Sequence, residues 1–254
     1  MNAICHLLIV AVTLQTGNGV SLKIVGGKEA GLRPYMALVR TPGKTFCGGT
    51  LIKPGWVLTA AECRVDRTTT VDLGVRSIKA TREKQRQQFT VIKSITHQKY
   101  NTKKHINNLQ LLQLSGTANL TKDVNVVRFP ETFPEVKPGS VCGIAGWGKT
   151  NNKNSYNSDK LMEARVTVID RKKCVNQWKP TVQITKDMVC TSGKEASMGF
   201  CNGDGGGPLL CGGFLKGIMS FGSLLCGIPN GADVSTRLTK DYMKWINKET
   251  KKRP

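Results

Sequence analysis

Aromatic residues are scarce at 6%, histidine occurs three times, and 17 acidic side chains face 38 Lys and Arg. No zinc-finger spacing, RNP-like aromatic run or basic zipper occurs, so specific nucleic-acid recognition is not expected. No apolar run approaches the ~20 residues of a membrane-spanning helix, so a membrane-spanning protein is not expected either. Histidine is too sparse, and cysteines too widely spaced, to favour a metal site. No cofactor is called for. With 39% hydrophobic residues and 27 glycines in 254 residues, the chain has enough apolar content to build a core, and disorder is excluded.

What is abundant is positive charge and cysteine. The formal charge of +21 is spread over several clusters, among them Lys79, Arg82, Lys84 and Arg86; Lys103 and Lys104; Arg171, Lys172 and Lys173; and Lys248, Lys251, Lys252 and Arg253. Each cluster alone reads as solvated surface, but their sum creates a field that attracts polyanions. Nine cysteines point to an oxidising compartment. The N-terminus agrees: Ile4 to Leu14 is an uncharged run followed by Thr16-Gly17-Asn18-Gly19, the build of a signal peptide over 1–19. Its removal takes Cys5 away and leaves eight of the nine cysteines, an even number that permits full pairing.

Short β-branched segments separated by turn signals run through the chain. They are Met36 to Val39, Thr50 to Ile52, Trp56 to Thr59, Val71 to Leu73, Phe89 to Ile95, Leu109 to Leu114, Val141 to Ala145, Leu161 to Ile169, Pro208 to Cys211 and Phe214 to Ser220. The pattern predicts an all-β sandwich or barrel, with Lys149 to Lys160 as an exposed loop. From Lys240 to Lys248, Tyr242, Trp245 and Ile246 recur at helical spacing and predict a closing amphipathic helix.

Ile24-Val25-Gly26-Gly27, Gly55-Trp56-Val57-Leu58-Thr59-Ala60-Ala61-Glu62-Cys63, Gly146-Trp147-Gly148 and Gly203-Asp204-Gly205-Gly206-Gly207-Pro208 stand in the order found in chymotrypsin-like serine proteases. The chain resembles that family from Ile24 onward. The stretches Arg33 to Met36, Val168 to Cys174, Ile184 to Cys190 and Cys201 to Asp204 are similar to granzymes A and K within it. The resemblance implies two six-stranded antiparallel β-barrels with a C-terminal helix over 24–254, a short propeptide at 20–23, and a cleft between the barrels. It also implies four disulfides: Cys47 with Cys63, Cys142 with Cys211, Cys174 with Cys190, and Cys201 with Cys226.

The chemistry of that family needs an imidazole base, a carboxylate that orients it and a serine hydroxyl that attacks. At the matching positions this chain has Glu62, Asn108 and Gly205. An exposed Glu, with a pKa of about 4.3, is too weak a base to deprotonate Ser at neutral pH unless burial raises it strongly. An Asp-to-Asn change at the orienting position alone lowers turnover about ten-thousandfold. Glycine has no side chain to attack with. The remaining histidines, His97 and His105, are expected on the surface. These substitutions imply an inactive homologue with no catalytic residues.

Other family positions are retained or altered. Lys23 precedes Ile24, and Asp204 stands where the family pairs a carboxylate with a freed N-terminal amine; that pair either stabilises the fold or orders the cleft on processing. Gly203 and Gly205 are expected to leave an oxyanion-hole-like pair of amides. The specificity pocket implied by the resemblance comprises Gly199, Phe200, Ser220, Gly222 and Asp233, with Gly199 replacing the acid of granzymes A and K. Asp233 either narrows the pocket, attracts a cation or lies in a surface turn. Asn119-Leu120-Thr121 is a glycosylation sequon. The expected protein is secreted or granule-stored, binds glycosaminoglycans, proteoglycans or anionic membrane surfaces, and serves host defence. Two alternatives remain: an active endopeptidase with a displaced centre, and a decoy that occupies protease inhibitors or receptors.

Overall fold

The structure is a computed structural model and describes residues 24–41, 43, 45–80, 82–150, 156–193, 198–223, 225–228 and 231–251. The expected signal peptide, propeptide, Lys23, Lys252 and Arg253 lie outside the described residues. Among the described residues, thirteen strands and two helices are arranged as β1 (Lys28–Glu29), β2 (Met36–Thr41), β3 (Thr45–Lys53), β4 (Trp56–Thr59), β5 (Thr70–Leu73), β6 (Gln87–Thr96), β7 (Gln110–Leu114), β8 (Val141–Gly146), β9 (Met162–Val168), α1 (Arg171–Trp178), β10 (Met188–Gly193), β11 (Pro208–Cys211), β12 (Phe214–Phe221), β13 (Asp233–Arg237) and α2 (Lys240–Lys251).

The first barrel closes in the order β2-β3-β4-β7-β6-β5. In the second, β8 pairs with both β9 and β11, so β9-β10-β13-β12-β11-β8 also closes into a six-stranded ring, with β1 as an outrigger on β9. The strands alternate as half-buried strands must: in β9, Met162, Ala164, Val166 and Val168 face the core while Glu163, Arg165 and Thr167 face outward. Ala37, Val39, Leu51, Val57, Leu73 and Leu112 fill the first barrel. Ile144, Met162, Val166, Leu209 and Met219 fill the second, with Ile24 buried among them.

The implied disulfide pairing is present in full. Cys142 and Cys211 lie directly opposite each other on β8 and β11. Among the described residues no group of three His, Cys, Asp or Glu side chains is placed to hold a metal ion, and no helix is long and apolar enough to cross a membrane.

Several local expectations need correction. Helix α1 has only Cys174 buried, so no apolar stripe announced it; Asp170 caps it by accepting from the Lys172 and Lys173 amides at 2.8 and 3.4 Å. The segment Lys149 to Lys160 is not simply an exposed loop. Thr150 is buried, Lys149 bridges to Asn157, and the Asp159 carboxylate accepts from Ser77 Oγ at 2.9 Å; residues 151–155 lie outside the described residues. Helix α2 runs one turn beyond Lys248 and buries Tyr242, Trp245 and Ile246, each worth roughly 1.5–3 kcal/mol when fully withdrawn from water.

Candidate functional site

The site forms where the barrels touch. The Gly48 amide of β3 donates to the Gly205 carbonyl at 2.9 Å, and a Cβ on Gly48 would lie 2.7 Å from the Gly207 nitrogen, so only glycine permits this approach. On the first barrel, β4 delivers the chain into a turn closed by Cys63 N to Ala60 O at 3.1 Å and tied back to β3 through Cys47–Cys63. That turn presents Glu62.

Asn108 is fully buried before β7. The loop leading to it passes through left-handed backbone at His105 (φ 51°) and Asn107 (φ 58°), and Asn107 is held by Tyr242 of α2, whose hydroxyl donates to Asn107 Oδ1 at 2.8 Å. Asn108 Oδ1 accepts from the Glu62 amide at 3.1 Å, and its Nδ2 donates to Ser220 Oγ of β12 at 2.7 Å. The amide therefore bridges the two barrels with both its ends satisfied.

Gly205 belongs to the loop between β10 and β11, which turns through Gly203 (φ 98°) and Gly206 (φ 85°). A Cβ at Gly205 would lie 3.0 Å from Glu62 Oε1. The structure thus brings Glu62, Asn108 and Gly205 together, with the Glu62 carboxyl facing the space a residue-205 side chain would use. Glycine supplies no nucleophile there.

Burial pushes the Glu62 carboxyl up to about 7, partly offset by hydrogen bonding to Asn108. The histidines correct the expectation of surface residues. His105 Nδ1 lies 3.9 Å from Glu62 Oε2 and its ring packs on Phe221, with centroids 4.7 Å apart. Burial holds its pKa down. Among the described residues neither Tyr100 Oη nor His105 Nδ1, both buried, has a hydrogen-bond partner, and the Glu62 charge adds to burial in raising the Tyr100 pKa. Asn107 in left-handed backbone was a readable signal, because Asn tolerates that region; nothing local to His105 revealed that it would face Glu62. His97 instead packs edge-on against Tyr242 and Trp245 at 5.4 and 4.9 Å.

Beside these residues lies a cavity of about 320 Å³ whose lining includes Glu62, Phe200, Gly203, Gly205, Ser220 and Gly222. Cys201–Cys226 ties two segments of its wall. Asp233 is not in a surface turn: it begins β13, is 7% exposed, and accepts at Oδ2 from the Phe200 amide at 3.1 Å. A Cβ on either Gly199 or Gly222 would collide with its carboxylate, so Asp233 occupies the space between those glycines. Burial, and secondarily the charge of Asp204, push its pKa up to about 7.

Asp204 is fully buried, and its carboxylate accepts from the Gly148 and Cys201 amides at 2.7 and 2.9 Å. No cation among the described residues is paired with it, and burial pushes its pKa up to about 7. Side chains at Gly146 or Gly148 would strike this carboxylate. Asn119 is exposed beside β6, its backbone amide and carbonyl both bonded to the Gln87 side chain at 2.8 Å.

The family model for trypsin matches residues 24–246. Granzyme A of Bos taurus is 39% identical over 252 residues, spanning 97% of this chain and 93% of its own length. Serine protease 57 of Homo sapiens is 38% identical over 233 residues, spanning 88% of this chain and 80% of its own. Among solved structures, human heparin binding protein superposes with a TM-score of 0.79 at 32% identity, covering 90% of this chain and 97% of that one. Mouse neuropsin gives a TM-score of 0.79 at 34% identity, covering 88% and 98%. The chain is a member of the trypsin-like family of chymotrypsin-fold serine proteases.

Proposed function

We propose that this chain is a catalytically inactive, granzyme-like serine protease homologue, secreted or granule-stored, that acts in host defence by binding anionic glycans. The observation that carries the loss of catalysis is Gly205, which has no nucleophile and whose missing side chain would point at a carboxyl, Glu62 Oε1, 3.0 Å from its Cβ. The contact of His105 with Glu62 at 3.9 Å adds an acid-base pair but no attacking group. Glycan binding is supported by the formal charge of +21 and by the likeness to a heparin binding protein. Anionic membrane surfaces and protease inhibitors that fit the cleft are further partners of the same reading.

Processing after Lys23 would free the Ile24 amine to meet Asp204, and the sequon at Asn119 lies exposed for a glycan. Gly203 and Gly205 line the cavity, and their amides would serve a carboxylate or a water rather than an acyl intermediate.

The test is hydrolysis of a peptide library by recombinant protein beginning at Ile24, beside the triple variant Glu62→His, Asn108→Asp, Gly205→Ser. Silence from the native form with turnover by the variant is the expected result. Turnover by the native form that survives repurification would sink the proposal and make Glu62 and His105 the next residues to mutate.

A further inference from the structure

Helix α2 carries lysines at positions 240, 244, 248 and 251, spaced i, i+4, i+8 and i+11. At 100° per residue these fall within about 80° of arc, roughly opposite the direction in which Tyr242, Trp245 and Ile246 enter the core. All four are exposed. They form a single row about 16 Å long, with neighbouring lysines one turn apart, on a rise of about 1.5 Å per residue.

Helix stability explains only half of this row. Lys248 and Lys251 complement the negative C-terminal end of the helix dipole, but Lys240 and Lys244 stand in the first turns, where the dipole opposes positive charge. Asp241 neutralises one of them, at 3.5 Å from Lys244 Nζ. One further cation reaches the helix: Lys53 Nζ donates to Thr250 Oγ1 at 2.7 Å.

We infer that this lysine row is the docking surface for a linear sulfated glycan lying along α2; the inference rests on the glycan-binding reading above and locates it. The row matches a rod-like chain that repeats anions along one edge. The outward face of α2 offers Lys240, Asp241, Lys244, Asn247, Lys248 and Lys251 and no aromatic ring on which a base could stack. It likewise has no apolar side chain to enter a bilayer.

The experiment measures binding of the full processed chain to a heparin oligosaccharide across a salt series. Native protein is compared with Lys240→Gln/Lys244→Gln/Lys248→Gln/Lys251→Gln, and with Lys103→Gln/Lys104→Gln/Lys172→Gln/Lys173→Gln, which removes the same charge from exposed lysines elsewhere. Counterion release makes the slope of log affinity against log salt proportional to the ion pairs formed. The α2 variant is expected to lose ~10-fold or more in affinity near physiological salt and to show a shallower slope. The control is expected to keep the native slope and lose less than ~3-fold, through long-range field alone. Acetylation footprinting of the native complex should protect Lys240, Lys244 and Lys248, a readout independent of variant folding.

Equal losses in both variants, or no protection, would overturn the docking surface and leave glycan binding standing. Absence of native binding would overturn both. Tighter α2-dependent binding to anionic vesicles or single-stranded DNA than to heparin would overturn the choice of glycan.

Discussion

A carboxyl group in the middle of a cationic protein would ordinarily be ionised at neutral pH, yet Glu62 is held near the midpoint of its titration at about 7. Desolvation by the cleft walls outweighs the overall positive field, and His105 is itself held down by burial and so brings little positive charge to its side. The sign of the consequence is fixed. A carboxyl whose folded pKa exceeds its unfolded one contributes stability fully below about 4.5, and that contribution is lost as pH rises through about 7. Glu62→Gln should therefore melt like the native chain near pH 4.5 and above it near pH 8. The gap is expected to be of order 1–3 kcal/mol, or roughly 2–8 °C. His105 and Tyr100, which adjoin Glu62, are present in both proteins and largely cancel. Melting curves with the same pH dependence for the two proteins would show that Glu62 is solvated as an ordinary surface acid.

At the scale of elements, most strands with β-branched or leucine-rich alternation were legible, β4 and β11 to the residue, whereas β3 begins five residues before its expected start at Thr50 and β10 was not read as a strand. Strand β13, Asp233-Val-Ser-Thr-Arg237, was not, because its inward side chains are mainly small and polar and are buried by pairing with β10 and β12 rather than by apolar demand. The short helix α1 was missed for a related reason: an Asp cap and a disulfide to β10 hold it, and neither leaves a periodic signal. Hence the ambiguity at Asp233, which sequence left between pocket and surface turn.

Its placement between Gly199 and Gly222 gives a steric prediction. Gly199→Asp alone should destabilise the chain by about 1–3 kcal/mol through overpacking, and by more if both acids ionise. Asp233→Gly in the same chain should recover most of that loss, giving a large coupling in a double-mutant cycle read from urea midpoints. Additive effects would place the Asp233 carboxylate elsewhere.

Across the whole molecule, three buried or half-buried acids, Glu62 of the first barrel and Asp204 and Asp233 of the second, are each raised to about 7 by burial. Two of them act on each other, since the Asp204 charge raises Asp233. A cation delivered to Asp204 would therefore be felt in the pocket as well. Processing after Lys23 supplies such a cation in the proposed reading, because Ile24 is already fully buried in the second barrel.

While the chain is continuous, ionising Asp204 opposes folding, so its contribution is lost as pH rises through about 7. Once paired with an ammonium, the same carboxylate has a depressed pKa, and its contribution is present above about 4 and lost only in acid. The processed form should thus exceed the unprocessed form in melting temperature by a margin that widens from pH 5 to pH 7.5, toward the ~3–5 kcal/mol that separates a buried paired charge from an unpaired one. Asp204→Asn should erase the widening while leaving both forms folded. Parallel melting curves for the two native forms would mean that the Ile24 amine never reaches Asp204, and that burial of Ile24 is packing alone.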